Sequence, residues 1–372
     1  MKFTANNSDL QRSLNKVGGV IPVRSTLPIL ENILFDLLND TLTLTATDLE
    51  ISLTVSMQVK GSEDGSIAIP AKRLLDTIKA LPESTTPKFS IDTTTNKIKI
   101  TTENGEYALT GESAKEFPAA PQFKSTGEII IDNTLLKRII HRTAFAVSTD
   151  ELRPAMMGVL LQTKGNDICA VSTDGHRLVK YIHKSTKAGS FKRDLIIPAK
   201  ALQMVSRSIE SGSNTVSIND THIRFAFDNT ILISRLIDES YPNYESVIPT
   251  ENTKELIINR STLINSIRRV ALYASATTHQ VRFDINKSSL IIAAQDIGFG
   301  GEAKETIPAE YNDDEIEIGF NSTYVIDVLT HLDSEKVSFK FSSATRAGLV
   351  SPVDAKDGED VVMLVMPVRL NT

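Results

Sequence analysis

KFTANNSDLQRSLNKV (2–17), EIIIDNTLLKRIIHRTA (128–144) and ELIINRSTLINSIRRVA (255–271) repeat one pattern. Each begins as a short apolar strand, passes through polar residues, and continues with apolar side chains at helical spacing. Aligning Phe3, Ile129 and Leu256 brings Leu10, Leu136 and Leu263 into register, and with them Leu14, Ile140 and Ile267. Ser8, Thr134 and Ser261 fall at or near the helix N-termini, where a side-chain oxygen is expected to cap unpaired N–H groups.

The register continues downstream. LTLTATDLEISL (42–53), ICAVSTDGHRLV (168–179) and LIIAAQDIGFGG (290–301) place Asp48, Asp174 and Asp296 in one slot. A second strand–helix pair follows in IAIPAKRLLDTIKAL (67–81), LIIPAKALQMVSRSI (195–209) and IEIGFNSTYVIDVLTHL (316–332). Phe117-Pro118 and Tyr241-Pro242 close the first two copies. A period of roughly 125 residues held across so many landmarks predicts three repeated domains, near 1–124, 125–250 and 251–372. The remaining segments, such as KIKITT (97–102) and HIRFAF (222–227), alternate with period two and read as strands. The expected fold class is α+β, with two helices per domain packed on antiparallel sheets.

Charge is segregated along the chain. The net charge is −6, with 41% hydrophobic and 23% charged residues. The predicted helices 8–18, 71–81, 134–147, 199–210, 261–274 and 322–332 hold twelve basic and four acidic residues, a balance of +8 against −14 elsewhere. Such a helical surface attracts a phosphate backbone that the rest of the protein repels. No recognition-helix signature or aromatic interleaving accompanies it, so contact to nucleic acid would be insensitive to sequence.

Several functions are disfavoured. No apolar run reaches the length of a membrane span, and the N-terminus lacks the features of a secretory signal. The single cysteine, Cys169, excludes an internal disulfide, reads as a packed core thiol and fits a reducing cytoplasm. His141, His176, His183, His222, His279 and His331 show no ligand spacing, so neither a metal nor a cofactor is expected. GFGG (298–301) lacks the following Lys-Ser/Thr of a phosphate loop. Asp174, Gly175, His176 and Arg177 look catalytic in isolation. Yet Asp174 recurs in every copy while GHRL occurs in one, which assigns Asp174 to the scaffold and GHRL to function. The competing enzyme class is a multi-repeat transferase of the enolpyruvyl type, binding an anionic substrate. It needs its cations gathered at one hinge, whereas here they spread over five helices.

The motifs MKFT (1–4), RSTLPILENILF (24–35), TATDLE (45–50), VSTDGHRL (171–178), YPNYESVIP (241–249), EIGFNSTYVIDVL (317–329) and VMPVRL (365–370) occur in an order that resembles the bacterial DNA polymerase III beta subunit, or sliding clamp, family over the full length. The resemblance implies a head-to-tail homodimer forming a closed six-domain ring around double-stranded DNA, with no catalysis. It implies as partners the DNA polymerase III catalytic subunit, the clamp loader, other polymerases, ligase and mismatch-repair proteins, and no membrane. Their peptides would enter a cleft of Met156, Thr173, Gly175, His176, Arg177, Leu178, Pro242, Val247, Val365, Met366, Pro367, Val368 and Arg369. The DNA-facing positions would be Arg24, Arg73, Lys137, Arg138, Arg142, Arg153, Lys200 and Arg207. Tyr107 and Leu109 of one protomer would face Leu272 and Tyr273 of its partner. The chain departs from the family at Arg153-Pro154-Ala155, where the best-known clamps carry adjacent tyrosines after the arginine. It departs again at Ser246, often a basic residue.

Overall fold

The expected helices form where apolar side chains recur every three to four residues. In the computed structural model, which describes residues 1–184, 191, 193–296, 298 and 300–370, they are α1 (Asn7–Gly18), α2 (Ala71–Ala80), α3 (Asn133–Thr143), α4 (Ala199–Ser208), α5 (Arg260–Val270) and α6 (Ser322–Thr330). The aligned residues Leu10, Leu136, Leu263, Leu14, Ile140 and Ile267 are all buried. Helices α3 and α5 are shorter than expected, each followed by a separate 3-10 turn, Ala144–Ala146 and Ala271–Tyr273. None of the described helices is long and apolar enough to cross a membrane.

The caps correct one expectation. Asn6 accepts from the Asp9 amide at 3.3 Å, Asp132 from Thr134 and Leu135 at 2.8 and 3.1 Å, and Asn259 from Thr262 at 3.0 Å. Ser8, Thr134 and Ser261 lie inside the first helical turn. The capping oxygen comes from the residue two positions earlier, whose extended backbone aims its side chain at the free amides.

The chain folds into two compact units, Met1–Leu136 with Lys200–Leu236, and Lys137–Ala199 with Ile237–Thr372. Each unit contains one nine-stranded and one five-stranded antiparallel sheet. These units cut across the three repeats because each nine-stranded sheet joins strands from successive repeats. In the first unit, strand Ile51–Gln58 pairs with Thr230–Arg235, Val55 opposite Thr230 and Ile51 opposite Ser234. In the second unit, Arg177–His183 pairs with Glu359–Val365, from Arg177 opposite Val365 to His183 opposite Glu359. Both junctions follow one rule: the strand after the recurrent aspartate pairs with the last long strand of the next repeat.

Two strands fit this rule and lack the neighbour it prescribes. Glu106–Thr110, the first repeat's counterpart of Thr230–Arg235, is the edge of its five-stranded sheet. Gly301–Pro308, the third repeat's counterpart of Arg177–His183, is the edge of the other five-stranded sheet. Open edges of this kind are templates for pairing with another chain.

Candidate functional site

The recurrent aspartate builds a turn. The Asp174 carboxylate accepts from the amides of His176 (2.8 Å) and Arg177 (3.0 Å). Asp48 accepts from Glu50 (3.1 Å) and Ile51 (2.7 Å), and Asp296 from Gly298 (2.9 Å). Asp174 is therefore a scaffold residue, as its recurrence predicts. The Thr173 hydroxyl donates to the Arg177 carbonyl at 2.7 Å and accepts from the Gly175 amide at 3.1 Å. Gly175 has φ +91°, and a Cβ there would lie 3.1 Å from the Arg153 guanidinium. A side chain at this position meets backbone strain, and the flexible Arg153 side chain would have to give way by a few tenths of an ångström.

Arg177 is almost wholly occupied within the second unit. Its Nε donates to Asp174 at 3.0 Å, one terminal nitrogen to the Phe145 carbonyl at 2.9 Å, and the other to Asp327 on α6. The guanidinium also lies 5.3 and 5.0 Å from the ring centroids of Phe145 and Tyr324, close enough for cation–π attraction. His176 stacks on Tyr324 with centroids 5.6 Å apart. The GHR turn is thus fastened to α6 by an ion pair and two aromatic contacts.

Beside this turn opens a cavity of about 620 Å³, bordered by eight of the sequence-derived cleft residues: Met156, Thr173, Gly175, Arg177, Leu178, Pro242, Val247 and Met366. The other five are not among its lining residues. Val365 is buried and paired with Arg177 and Gly348. Pro367 and Val368 pair with Phe320 and Gly319 in the five-stranded sheet. His176 and Arg369 are exposed and outside the cavity lining. The Met366 amide donates to the His176 carbonyl at 2.8 Å, tying the terminal strand to the turn.

The wall also includes residues the sequence reading did not select, among them Tyr244, Ile248, Thr345, Arg346, Ala347 and Leu364. Tyr244 is buried, its hydroxyl donating to Gln162 at 2.9 Å, and burial pushes its pKa up. The YPNY spacing was visible in the sequence, but no signal marked the 345–347 loop. The cavity combines apolar floor and polar edge, the form of a site for a short apolar segment. Fully burying one leucine-sized side chain there would contribute about 1.5–3 kcal/mol. Cys169 is buried in a core cluster with Leu178, Tyr244, Ala347 and Leu364, and desolvation raises its thiol pKa.

The sequence-derived cations divide into two groups. Arg24, Arg73 and Arg207 are exposed and Lys137 half-buried, all without a carboxylate partner among the described residues. Arg153 and Lys200 also reach the surface, but bind Asp150 at 2.8 Å and Asp48 respectively. Two others depart from a DNA-facing role. Arg142 is 3% exposed, donates to the His331 carbonyl, and pairs with Asp333 at 2.8 Å. Arg138 is held by Asp333 at 3.0 Å and by Glu359 at 2.6 Å. Their charge is neutralised inside the second unit, which the count of basic residues along the helices does not reveal. His141 and His331 lie against this network, rings 4.7 Å apart, and burial lowers both pKa values.

The apolar residues expected at a subunit contact are accessible: Leu272 is 82%, Tyr273 47% and Tyr107 38% exposed, and Leu109 is half-buried. Tyr107 and Leu109 lie on the open edge strand Glu106–Thr110. Leu272 and Tyr273 lie in the turn after α5.

Three family models match in chain order: the N-terminal domain of the DNA polymerase III beta subunit over residues 1–121, its central domain over 130–243, and its C-terminal domain over 245–369. The chain is 30% identical over 375 residues to the beta sliding clamp of Chlamydia muridarum (strain MoPn / Nigg), covering 100% of both chains. Among solved structures it is similar to the DnaN sliding clamp of Bartonella birtlesii bound to griselimycin, with TM-score 0.94 and 28% identity. The DNA polymerase sliding clamp of Pseudomonas aeruginosa gives TM-score 0.90 and 30% identity. Both similarities cover 100% of each chain.

Proposed function

The chain belongs to the DNA polymerase III beta subunit family, the beta sliding clamps, and from that premise we propose how it closes its ring and receives its partners. The family is a non-catalytic processivity factor: a dimeric clamp that holds the polymerase on DNA. A transferase of the enolpyruvyl type finds no support beside three consecutive matches to the clamp.

The observation that carries the proposal is the pair of open edges. Gly301–Pro308 of one protomer and Glu106–Thr110 of its partner are the two halves of a junction already made twice within the chain. Pairing them head to tail completes the rule at both ends of two chains and joins the domains 1–124, 125–250 and 251–372 into a ring of six. In the junction within the second unit, Phe145 from the turn after α3 stacks on His331 at 3.8 Å. Leu272 occupies the equivalent slot after α5, so it packs on the partner together with Tyr273, opposite Tyr107 and Leu109.

Inside the ring, Arg24, Arg73, Lys137 and Arg207 contact phosphates, supported by Arg153 and Lys200. Such contacts are weak and equivalent at every step along the duplex, which permits sliding, while topology prevents escape. The cleft around Leu178, Val247 and Met366 receives peptides of the polymerase, clamp loader, ligase and mismatch-repair proteins in the bacterial cytoplasm. Methionine at two of its walls suits partners of differing shape.

The substitution Leu272→Glu tests the closure. It is expected to convert the dimer to monomer in sedimentation equilibrium and to abolish retention on circular DNA, with peptide affinity unchanged. A dimer of undiminished affinity would overturn the edge assignment.

A further inference from the structure

The loop between strands Lys336–Phe341 and Gly348–Pro352 brings Thr345, Arg346 and Ala347 to the cleft. Among the described residues, the side chains bordering the cleft include three arginines and no carboxylate, in a chain of net charge −6. Two of the three are occupied. Arg177 is spent on Asp174, Asp327 and Phe145, and Arg153 donates to the Asp150 carboxylate at 2.8 Å and the Asp174 carbonyl at 3.3 Å. Arg346 is exposed and has no hydrogen-bond or ion-pair partner within the described residues. The facing segment brings no cation to the cleft: Ser246 donates its hydroxyl to the Asn243 carbonyl at 2.8 Å. The nearby Glu245 is matched by Lys180 at 3.6 Å.

We propose that Arg346 is a specificity-determining residue, selecting partner peptides that carry an aspartate or glutamate beside their apolar anchor. The inference rests on the reading of the cleft as the peptide site. The division of labour is physical. Apolar anchors in the floor supply affinity without regard to charge, whereas a free guanidinium at the rim distinguishes carboxylate from amide or ammonium. A planar fork with no internal partner needs no bond broken before it binds.

The test uses the full-length dimer and a fluorescent cleft-binding peptide derived from the polymerase, in versions with Asp, Asn or Lys beside the apolar anchor. Anisotropy titrations are made with the wild type, Arg346→Ala and Arg346→Glu. An exposed ion pair corresponds to about a threefold preference of the wild type for the Asp over the Asn version, shrinking with added salt. Arg346→Ala levels the series, and Arg346→Glu inverts it in favour of Lys. An unchanged Asp-to-Lys ratio in Arg346→Glu overturns the role of Arg346. The Asn version separates the two readings: it binds the wild type and loses affinity in Met366→Glu. Undiminished binding to Met366→Glu would remove the cleft assignment itself, and the proposal with it.

Discussion

Replacing Arg177 by alanine removes three N–H donors, one to Asp174 within the turn, one joining it to Asp327 on α6 and one joining it to the Phe145 carbonyl in the turn after α3. Asp327 is 37% exposed and recovers water, so its loss costs little. The Phe145 carbonyl loses a donor worth about 1 kcal/mol, and Asp174, nearly buried, keeps its two amide donors but loses a charged one worth about 1.5–3 kcal/mol. The local cost is therefore about 2.5–4 kcal/mol. The Met366 amide, bonded to the His176 carbonyl at 2.8 Å, reports on the same turn. Its hydrogen exchange is expected to accelerate by about sixty- to several-hundred-fold, since each 1.4 kcal/mol is tenfold. Peptide affinity falls in parallel because the turn forms one wall of the cleft. Arg177→Lys restores one of the three bonds and recovers only part of both. Lost peptide binding with unchanged Met366 exchange would refute the reasoning, because Arg177 would then be a direct peptide contact rather than a positioning residue.

Arg142→Ala leaves the His331 carbonyl without its donor and is expected to destabilise the second unit by about 1–3 kcal/mol in thermal unfolding. Arg73→Ala leaves unfolding unchanged and weakens DNA association, lowering the salt slope by roughly one. The depressed histidines set a pH dependence with a definite sign. His331 and His141 bind fewer protons folded than unfolded, so their contribution is complete above the unfolded value of 6.5 and is lost as pH falls through the folded values. Unfolding between pH 7.5 and 5.5 should show this loss, and His331→Phe should flatten it. Cys169, buried with a raised pKa, should resist thiol reagents in the native protein and react only after denaturation.

The repeat made the elements legible because each copy carries the same apolar register and the same Asp turn. Long-range pairing was not legible: Arg177 and Val365 stand opposite each other although their sequence neighbourhoods share no complementary pattern. The same holds for the cleft. Its GHRL wall was visible as the part of one repeat absent from the others, whereas Leu364 and Arg346 reach it only through that pairing. Arg138 and Arg142 had the spacing of a solvated helix face. Their burial depends on Asp333 and Glu359, which the fold brings from far along the chain. The pairing also alters what a truncation means. Removing the terminal segment from Val365 deletes ladder partners of Arg177 and Phe320 as well as the Met366 wall, so point substitutions at Val247 or Met366 isolate the cleft better.

The most direct test of the ring is retention on DNA of different topology. The clamp is loaded by a clamp loader onto a nicked circle, the loader is removed, and half of the sample is linearised with a restriction enzyme. Encirclement predicts that the clamp stays on the circle at elevated salt and runs off the ends of the linear form. Equal loss from circle and linear DNA would contradict it.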